Sequence, residues 1–238
     1  FRIDPAATAA EASARLNAEL RGAVARRLVS EVPLGAFLSG GLDSSAVVAT
    51  MSELADRRPV ETFAIGFRQA AYDETRHAAS VAERLGTAHR ADIVDADTLG
   101  LIDRLATIYD EPFGDASAIP TLQLCAAARR RVTVALTGDG GDEVFAGYRR
   151  HIWHARVSAV RAVIPDAPRR AVFGALAAIW PKADWAPRPL RARNTFSELA
   201  SGPLEAYFLS VAVASDPVRA ALFSSRLKRE LDGHLSLI

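Results

Sequence analysis

The chain predicts an α/β fold, a doubly wound parallel sheet followed by a helical subdomain. Three observations carry that reading. Short apolar runs alternate with amphipathic segments through the first 150 residues, two of those runs break into Gly-rich acidic turns, and beyond about Arg150 only helical patterns remain. Strands that alternate with helices require crossover connections, which lay helices over the sheet. The predicted division is therefore an α/β domain over 1–150 and a helical extension over 151–238.

Taken in order, Thr8 and Glu11 form a capping box, and apolar residues at 12, 16, 20, 24 and 28 mark one face of a long helix expected against the sheet. A buried strand follows at 34–38, then a helix from Asp43 to about Leu54. A second strand runs from Val60 to Phe67. Asp73 has the place of an N-cap for a third helix, which Gly86 ends. A third strand falls near Ala88–Val94, and a helix is expected from Asp97 to Ile108. Another runs from about Ser117 to Arg130 and tolerates Pro120 in its first turn. The fourth strand, Val132 to Leu136, is β-branched and leads into the second acidic turn. After Arg150 the helical signals are broken by Pro165, Pro168, Pro181, Pro187, Pro189 and Pro203.

The turn after the first strand reads Leu-Ser-Gly-Gly-Leu-Asp-Ser-Ser at 38–45. Glycines let the backbone turn sharply and approach a ligand, and a helix that starts at once offers unpaired N–H groups to an anion. From Gly35 the glycine spacing matches a Walker A loop, but Gly41 and Leu42 stand where that loop needs Lys and Ser or Thr. No lysine reaches a β- or γ-phosphate from here. Asp43 would repel phosphate unless a divalent cation lies between them. The pattern resembles the Ser-Gly-Gly-x-Asp-Ser pyrophosphate loop of ATP pyrophosphatases, which implies attack at the α-phosphorus of ATP with loss of pyrophosphate.

The second turn, Thr-Gly-Asp-Gly-Gly-Asp-Glu at 137–143, crowds Asp139, Asp142 and Glu143 beside three glycines. Such charge density calls for cations, and in open α/β sheets ligands gather outside the carboxyl ends of strands. Both turns are therefore expected to share one ATP–magnesium site.

With these turns, Phe-Ala-Ile-Gly-Phe at 63–67, Tyr-Asp-Glu at 72–74, Asp-Glu-Pro-Phe-Gly-Asp at 110–115 and the continuation Val-Phe-Ala-Gly-Tyr to 148 make a specific, ordered set. It is similar to the synthetase domain of glutamine-hydrolysing asparagine synthetases, whose fold is adenine nucleotide alpha hydrolase-like. The resemblance implies that Ser39, Gly40, Gly41, Asp43 and Ser44 hold the pyrophosphate portion of ATP. The backbone around Leu38 and Ile65 would lie against the adenosine, and Gly138 would border the AMP. Asp43 and Asp142 would hold Mg²⁺. Asp139 would be catalytic, orienting an acyl adenylate and taking a proton from ammonia, a task that needs a base within hydrogen-bond reach of the nitrogen. Glu111 and Asp115 are weaker candidates for the acceptor pocket. The implied reaction joins a carboxylate, aspartate first among them, to ammonia at the expense of ATP, giving AMP and pyrophosphate.

Complete members of that family also have an N-terminal glutaminase domain that supplies ammonia, and a downstream lysine. Neither Lys182 nor Lys228 stands in that lysine's context, and Phe1 is not a start residue. An excised piece of a larger enzyme is therefore expected, binding ATP–Mg²⁺ but forming amide poorly on its own. The stretch 180–193 is similar to amidotransferases of exopolysaccharide and exosortase clusters. Acceptors other than aspartate, as in β-lactam synthetase or lasso-peptide cyclase, stay open. So does a non-catalytic nucleotide-binding or assembly module, although intact Asp43 and Asp142 argue against it.

Composition narrows the partners. At 238 residues with half of them apolar the chain can bury a sizeable core, and a formal charge of +1 gives no field that would draw it to nucleic acid or membrane. No apolar stretch has the length of a membrane span, and a cytoplasmic location is expected. The expected partners are a small-molecule carboxylate acceptor and ammonia, and a homodimer of the full-length enzyme remains open. Cys125, the single cysteine, is read as a buried small apolar residue. Trp180 and Trp185 are read as packing a Pro-broken connection, and His151 and His154 as ordinary helix histidines lacking a third metal ligand.

Overall fold

The computed structural model describes residues 8–55, 58–68, 73–94, 99–111, 113–181, 185, 187, 190–212, 218 and 221–230. The chain forms two compact units, Phe1–Gly141 and Asp142–Ile238.

In the first unit, α1 (Ala9–Arg27) starts at a complete capping box. The Thr8 N–H donates to Glu11 Oε2 at 2.8 Å and the Glu11 N–H donates to Thr8 Oγ1 at 3.2 Å. Then come β1 (Leu34–Phe37), α2 (Leu42–Leu54), β2 (Glu61–Phe67), α3 (Thr75–Leu85), β3 (Ala88–Val94), α4 (Leu99–Ile108), α5 (Ala118–Arg129) and β4 (Val134–Leu136). The strands form one parallel sheet in the order β3-β2-β1-β4.

The sheet is covered on both faces. Ala36, Leu38 and Ala64 pack with Val24 of α1, Val48 and Met51 of α2, and Ala78 and Ala82 of α3. Phe63, of opposite parity in the pleat, packs instead with Ala128 of α5, Val132 and the half-buried Phe37. Burying a side chain such as Leu38, Val48 or Met51 stabilises by about 1.5–3 kcal/mol. The chain thus winds outward from β1 through α2 and α3 on one face. It then returns past β1 to β4 with α5 on the other, so the winding reverses between β1 and β4.

Four sequence expectations need correction. Only the C-terminal half of α1 reaches the core: Val24 is buried and Leu20 partly so, but Leu16 is 43% exposed. The helix is longer than the surface it has to cover. The cap residue of α3 is Glu74 rather than Asp73, although the Asp73 carboxylate still accepts the Thr75 N–H at 3.1 Å and hydroxyl at 2.8 Å. Cys125 is exposed, although Leu124 and Ala128 of the same helix pack on Phe63. Partial desolvation still pushes its thiol pKa up, which keeps the sulfur protonated. Finally, Trp180 packs, with its ring edge-on to Phe196 and its Nε1–H donating to the Leu190 carbonyl at 2.8 Å, but Trp185 is 88% exposed. The expected start of α4 at Asp97, Tyr72 and Pro112 of the motifs, Pro189, and Lys182 lie outside the described residues.

The second unit is helical: α6 (Gly141–Phe145) leads into it, followed by α7 (Arg149–Val163), α8 (Asp166–Ile179), α9 (Arg193–Ala200), α10 (Pro203–Val211) and α11 (Ser225–Glu230). Two buried arginines organise it. Arg169 donates to the carbonyl oxygens of Leu199 and Ser201 and to Asp166, and Arg161 donates to the Ser201 carbonyl and Ser158 Oγ. These guanidinium groups satisfy the open carbonyls at the end of α9, where the helix dipole favours positive charge. Burial, and then the neighbouring Arg169, lower the Arg161 pKa. Among the described residues, no helix is long and apolar enough to cross a membrane.

Candidate active site

The carboxyl ends of β1 and β4 lie side by side where the winding reverses, the place where open α/β sheets hold ligands. Leu38, 1% exposed, ends the ladder by donating its N–H to the Phe63 carbonyl at 2.9 Å. The chain then leaves the sheet.

Gly40 has φ +82°, and a Cβ there would come within 2.6 Å of the His77 carbonyl carbon and 2.7 Å of the Ala78 nitrogen. Both its backbone conformation and the first turn of α3 thus require glycine. The Gly41 N–H donates to Ser39 Oγ at 3.3 Å, the two hydroxyls of Ser39 and Ser44 are 3.0 Å apart, and Ser44 Oγ donates to the Gly41 carbonyl at 3.3 Å. Because the Ser44 proton is spent on that carbonyl, Ser39 is the donor between the hydroxyls. The turn is therefore closed by its own serines. Gly41 begins α2 without a side-chain cap, so the first N–H groups of the helix stay available to an anion.

The β4 turn packs directly on this helix start. A Cβ on Gly138 would lie 2.5 Å from the Ser44 nitrogen, and one on Gly141 would lie 2.5 Å from the Asp43 carboxyl carbon. The half-buried Asp43 carboxylate thus rests on bare backbone. Asp139 is exposed, and Thr137 shapes it locally: the threonine hydroxyl donates to Asp139 Oδ2 at 3.0 Å and accepts the Asp139 N–H at 3.2 Å.

Other residues of the set are placed as follows. Ile65 is half-buried in β2, next to β1, with a side chain of the parity opposite to Leu38. Gly66 admits Asp73, since a Cβ there would meet Asp73 Oδ1 at 2.6 Å, which explains why Ala-Ile-Gly-Phe and Asp73 belong to one structure. Asp115 accepts the Ser117 N–H at 2.7 Å and opens α5; that bond holds its carboxyl pKa below the ordinary value. Glu111 is exposed. Asp142 lies in α6 at the start of the second unit. His151 Nε2 sits 3.3 Å from the Tyr207 hydroxyl and His154 meets the same ring edge-on, which accounts for both as packed histidines.

Two features went unassigned in the sequence reading. The Ser45 hydroxyl is buried without a partner in the first turn of α2, and its place in Asp-Ser-Ser was the available signal. Thr137 had no signal, because its role is set by the turn geometry. Among the described residues, no group of three or more His, Cys, Asp or Glu gathers as a metal site.

Residues 15–231 match the family model for asparagine synthase. A Methanocaldococcus jannaschii protein named "Putative asparagine synthetase (glutamine-hydrolyzing) 2" is 48% identical over 143 residues, 60% of this chain and 28% of that protein. Asparagine synthetase (glutamine-hydrolyzing) 1 of Bacillus subtilis is 36% identical over 120 residues, 50% of this chain and 19% of the relative. The matched segment is thus about a quarter or less of these relatives. The NH3-dependent NAD synthetase of Campylobacter jejuni, solved with nitrate, superposes over 85% of this chain and 98% of its own at 11% identity and a TM-score of 0.38, too distant to bear on function. With a match that runs through both glycine turns and most of the helical unit, the chain belongs to the asparagine synthase family.

Proposed function

We propose that this chain carries the ATP-dependent half of a carbon–nitrogen ligase that amidates a carboxylate, with aspartate the first candidate, and releases AMP and pyrophosphate. The observation that carries the proposal is the contact between the two turns, in which Gly138 and Gly141 lie bare against Ser44 and Asp43. That arrangement sets an anion-receptive helix start beside an acidic turn at the carboxyl ends of β1 and β4.

In this reading Ser39, Gly40, Gly41 and Ser44 hold the pyrophosphate portion of ATP, whose arrival exchanges the serine hydrogen bonds within the turn for bonds to phosphate oxygens. Leu38, Ile65 and Gly138 flank the adenosine and AMP. The acceptor carboxylate attacks the α-phosphorus, pyrophosphate leaves, and ammonia then displaces AMP from the acyl group. Asp43 and Asp142 are the residues that would hold Mg²⁺, which neutralises charge on the departing group. Asp139, steadied by Thr137, accepts a proton from the incoming ammonia. A glutaminase domain, as the relatives' names imply for them, is the proposed ammonia source.

The test supplies the protein at its full natural length with ATP, Mg²⁺ and ammonia, offers aspartate against other carboxylic acids, and follows AMP, ADP and amide. Aspartate-dependent AMP and amide are expected. ADP and phosphate as products would overturn the mechanism, and AMP formation with another acid alone would overturn the choice of aspartate.

A further inference from the structure

The helical unit holds a cavity of about 610 Å³ between α7, α9 and α10, within the size range of small-molecule sites. Arg149, Arg150 and Arg156 line it together with Trp153, Asn194 and Glu198. Among the described residues, none of these three arginines has a carboxylate at ion-pair distance. The acid in the wall is already engaged. Glu198 Oε2 accepts the Trp153 Nε1–H at 2.7 Å, and its charge acts on the buried Arg161.

Arg150 is also held in place. Its guanidinium carbon lies 3.8 Å from the centre of the Tyr148 ring, and the Tyr148 hydroxyl donates to Glu143 Oε1 at 2.6 Å. The Arg150 Nε–H is buried without an acceptor. A guanidinium fixed by stacking loses little further freedom when it binds an oxyanion, and its fork matches carboxylate or phosphate geometry. Trp153 is 40% exposed beside these cations, its orientation set by Glu198. Three positive groups, against the engaged Glu198 and the Glu143 carboxylate whose charge acts on Arg150 from outside the wall, leave a cationic recess, which concentrates anions.

We propose that this cavity binds a small dianion with a planar organic part, its charge taken by Arg149, Arg150 and Arg156 and its plane lying on the Trp153 indole. The chemistry is shared by aryl or nucleoside phosphate monoesters and by aromatic dicarboxylates. It is distinct from the proposed reaction, since no residue of the two glycine turns lines the cavity and only Glu143, through Tyr148, supports it.

The probes are phenyl phosphate and phthalate, titrated calorimetrically into the full-length protein and followed in parallel by tryptophan fluorescence. One-site binding of either is expected, phenyl phosphate identifying the phosphate class and phthalate the dicarboxylate class. Arg149→Gln and Arg156→Gln should each weaken it about ten-fold or more, Arg156→Lys should weaken it less, and Trp153→Phe should abolish most of the fluorescence change. Asp43→Asn should leave it unchanged, which separates this site from nucleotide binding even if the proposed reaction fails. Thermal melting verifies that each variant is folded. No binding of either probe at millimolar concentration, or binding that folded Arg149→Gln and Arg156→Gln variants retain in full, would overturn the proposal.

Discussion

Gly138→Ala isolates the contact between the two turns. Gly138 does not have a left-handed φ, so the substitution imposes no backbone strain of its own and acts through space alone. The added Cβ would lie 2.5 Å from the Ser44 nitrogen, 2.8 Å from the Asp43 carbonyl carbon and 2.9 Å from the Ser44 Cα. All three are backbone atoms of a helix start, which cannot swing aside as a long side chain does. Ordinary contact begins near 3.4 Å, so the turns must separate by about 0.9 Å, the difference between 3.4 and 2.5 Å. Overpacking of this kind costs about 1–3 kcal/mol, or roughly five- to 150-fold in an equilibrium constant. Part of it should appear as weaker ATP–Mg²⁺ binding by calorimetry and part as a lower melting temperature. Gly174→Ala is the control: nothing lies within 4 Å of its added Cβ in α8, and it should stabilise by up to about 1 kcal/mol without touching nucleotide binding. ATP affinity in Gly138→Ala equal to that of the unaltered protein would refute the idea that this contact shapes the nucleotide site.

Arg169→Met removes the donors to Leu199, Ser201 and Asp166 and should lower stability by about 2–4 kcal/mol in urea unfolding, with secondary structure otherwise retained. Asp139→Asn should depress amide formation by at least ten-fold while ATP binding persists, and Thr137→Val should reproduce a smaller part of that loss, both read by product assay. Acid should act through His89. Burial lowers its pKa from the ordinary 6.5, so the folded state takes up a proton less readily than the unfolded chain. The stability this group contributes is present above 6.5 and is lost as pH falls through the depressed value. Melting temperatures compared at about pH 7.5 and 5.5 should fall more in the parent than in His89→Asn.

The β1 turn was legible because its residues act on their chain neighbours. Ser39, Gly40, Gly41 and Ser44 close a turn whose hydrogen bonds span five residues or fewer, so spacing alone predicts it. The capping box at Thr8 and the glycine end of α3 at Gly86 were readable for the same reason. Cys125 was misjudged because its apolar neighbours suggested a buried face, whereas only Leu124 and Ala128 of that stretch pack on Phe63 and the thiol is left exposed, which the surrounding fold rather than the local sequence decides. Leu16 follows the periodicity of α1 but extends past the surface the helix covers.

What the sequence by itself determined is therefore local and chemical: the kinds of element, the two glycine turns, the residues within them and the family they spell. Only the tertiary structure decided which atoms meet. Strand order brought the end of β4 beside β1, which set Gly138 on Ser44 and Gly141 on Asp43 although the turns are far apart in the chain. It also left Arg149, Arg150 and Arg156 around a cavity while burying Arg161 and Arg169 on helix-end carbonyls. Side-chain type gives charge and size, but its surroundings depend on helix phase and packing, which are properties of the whole fold.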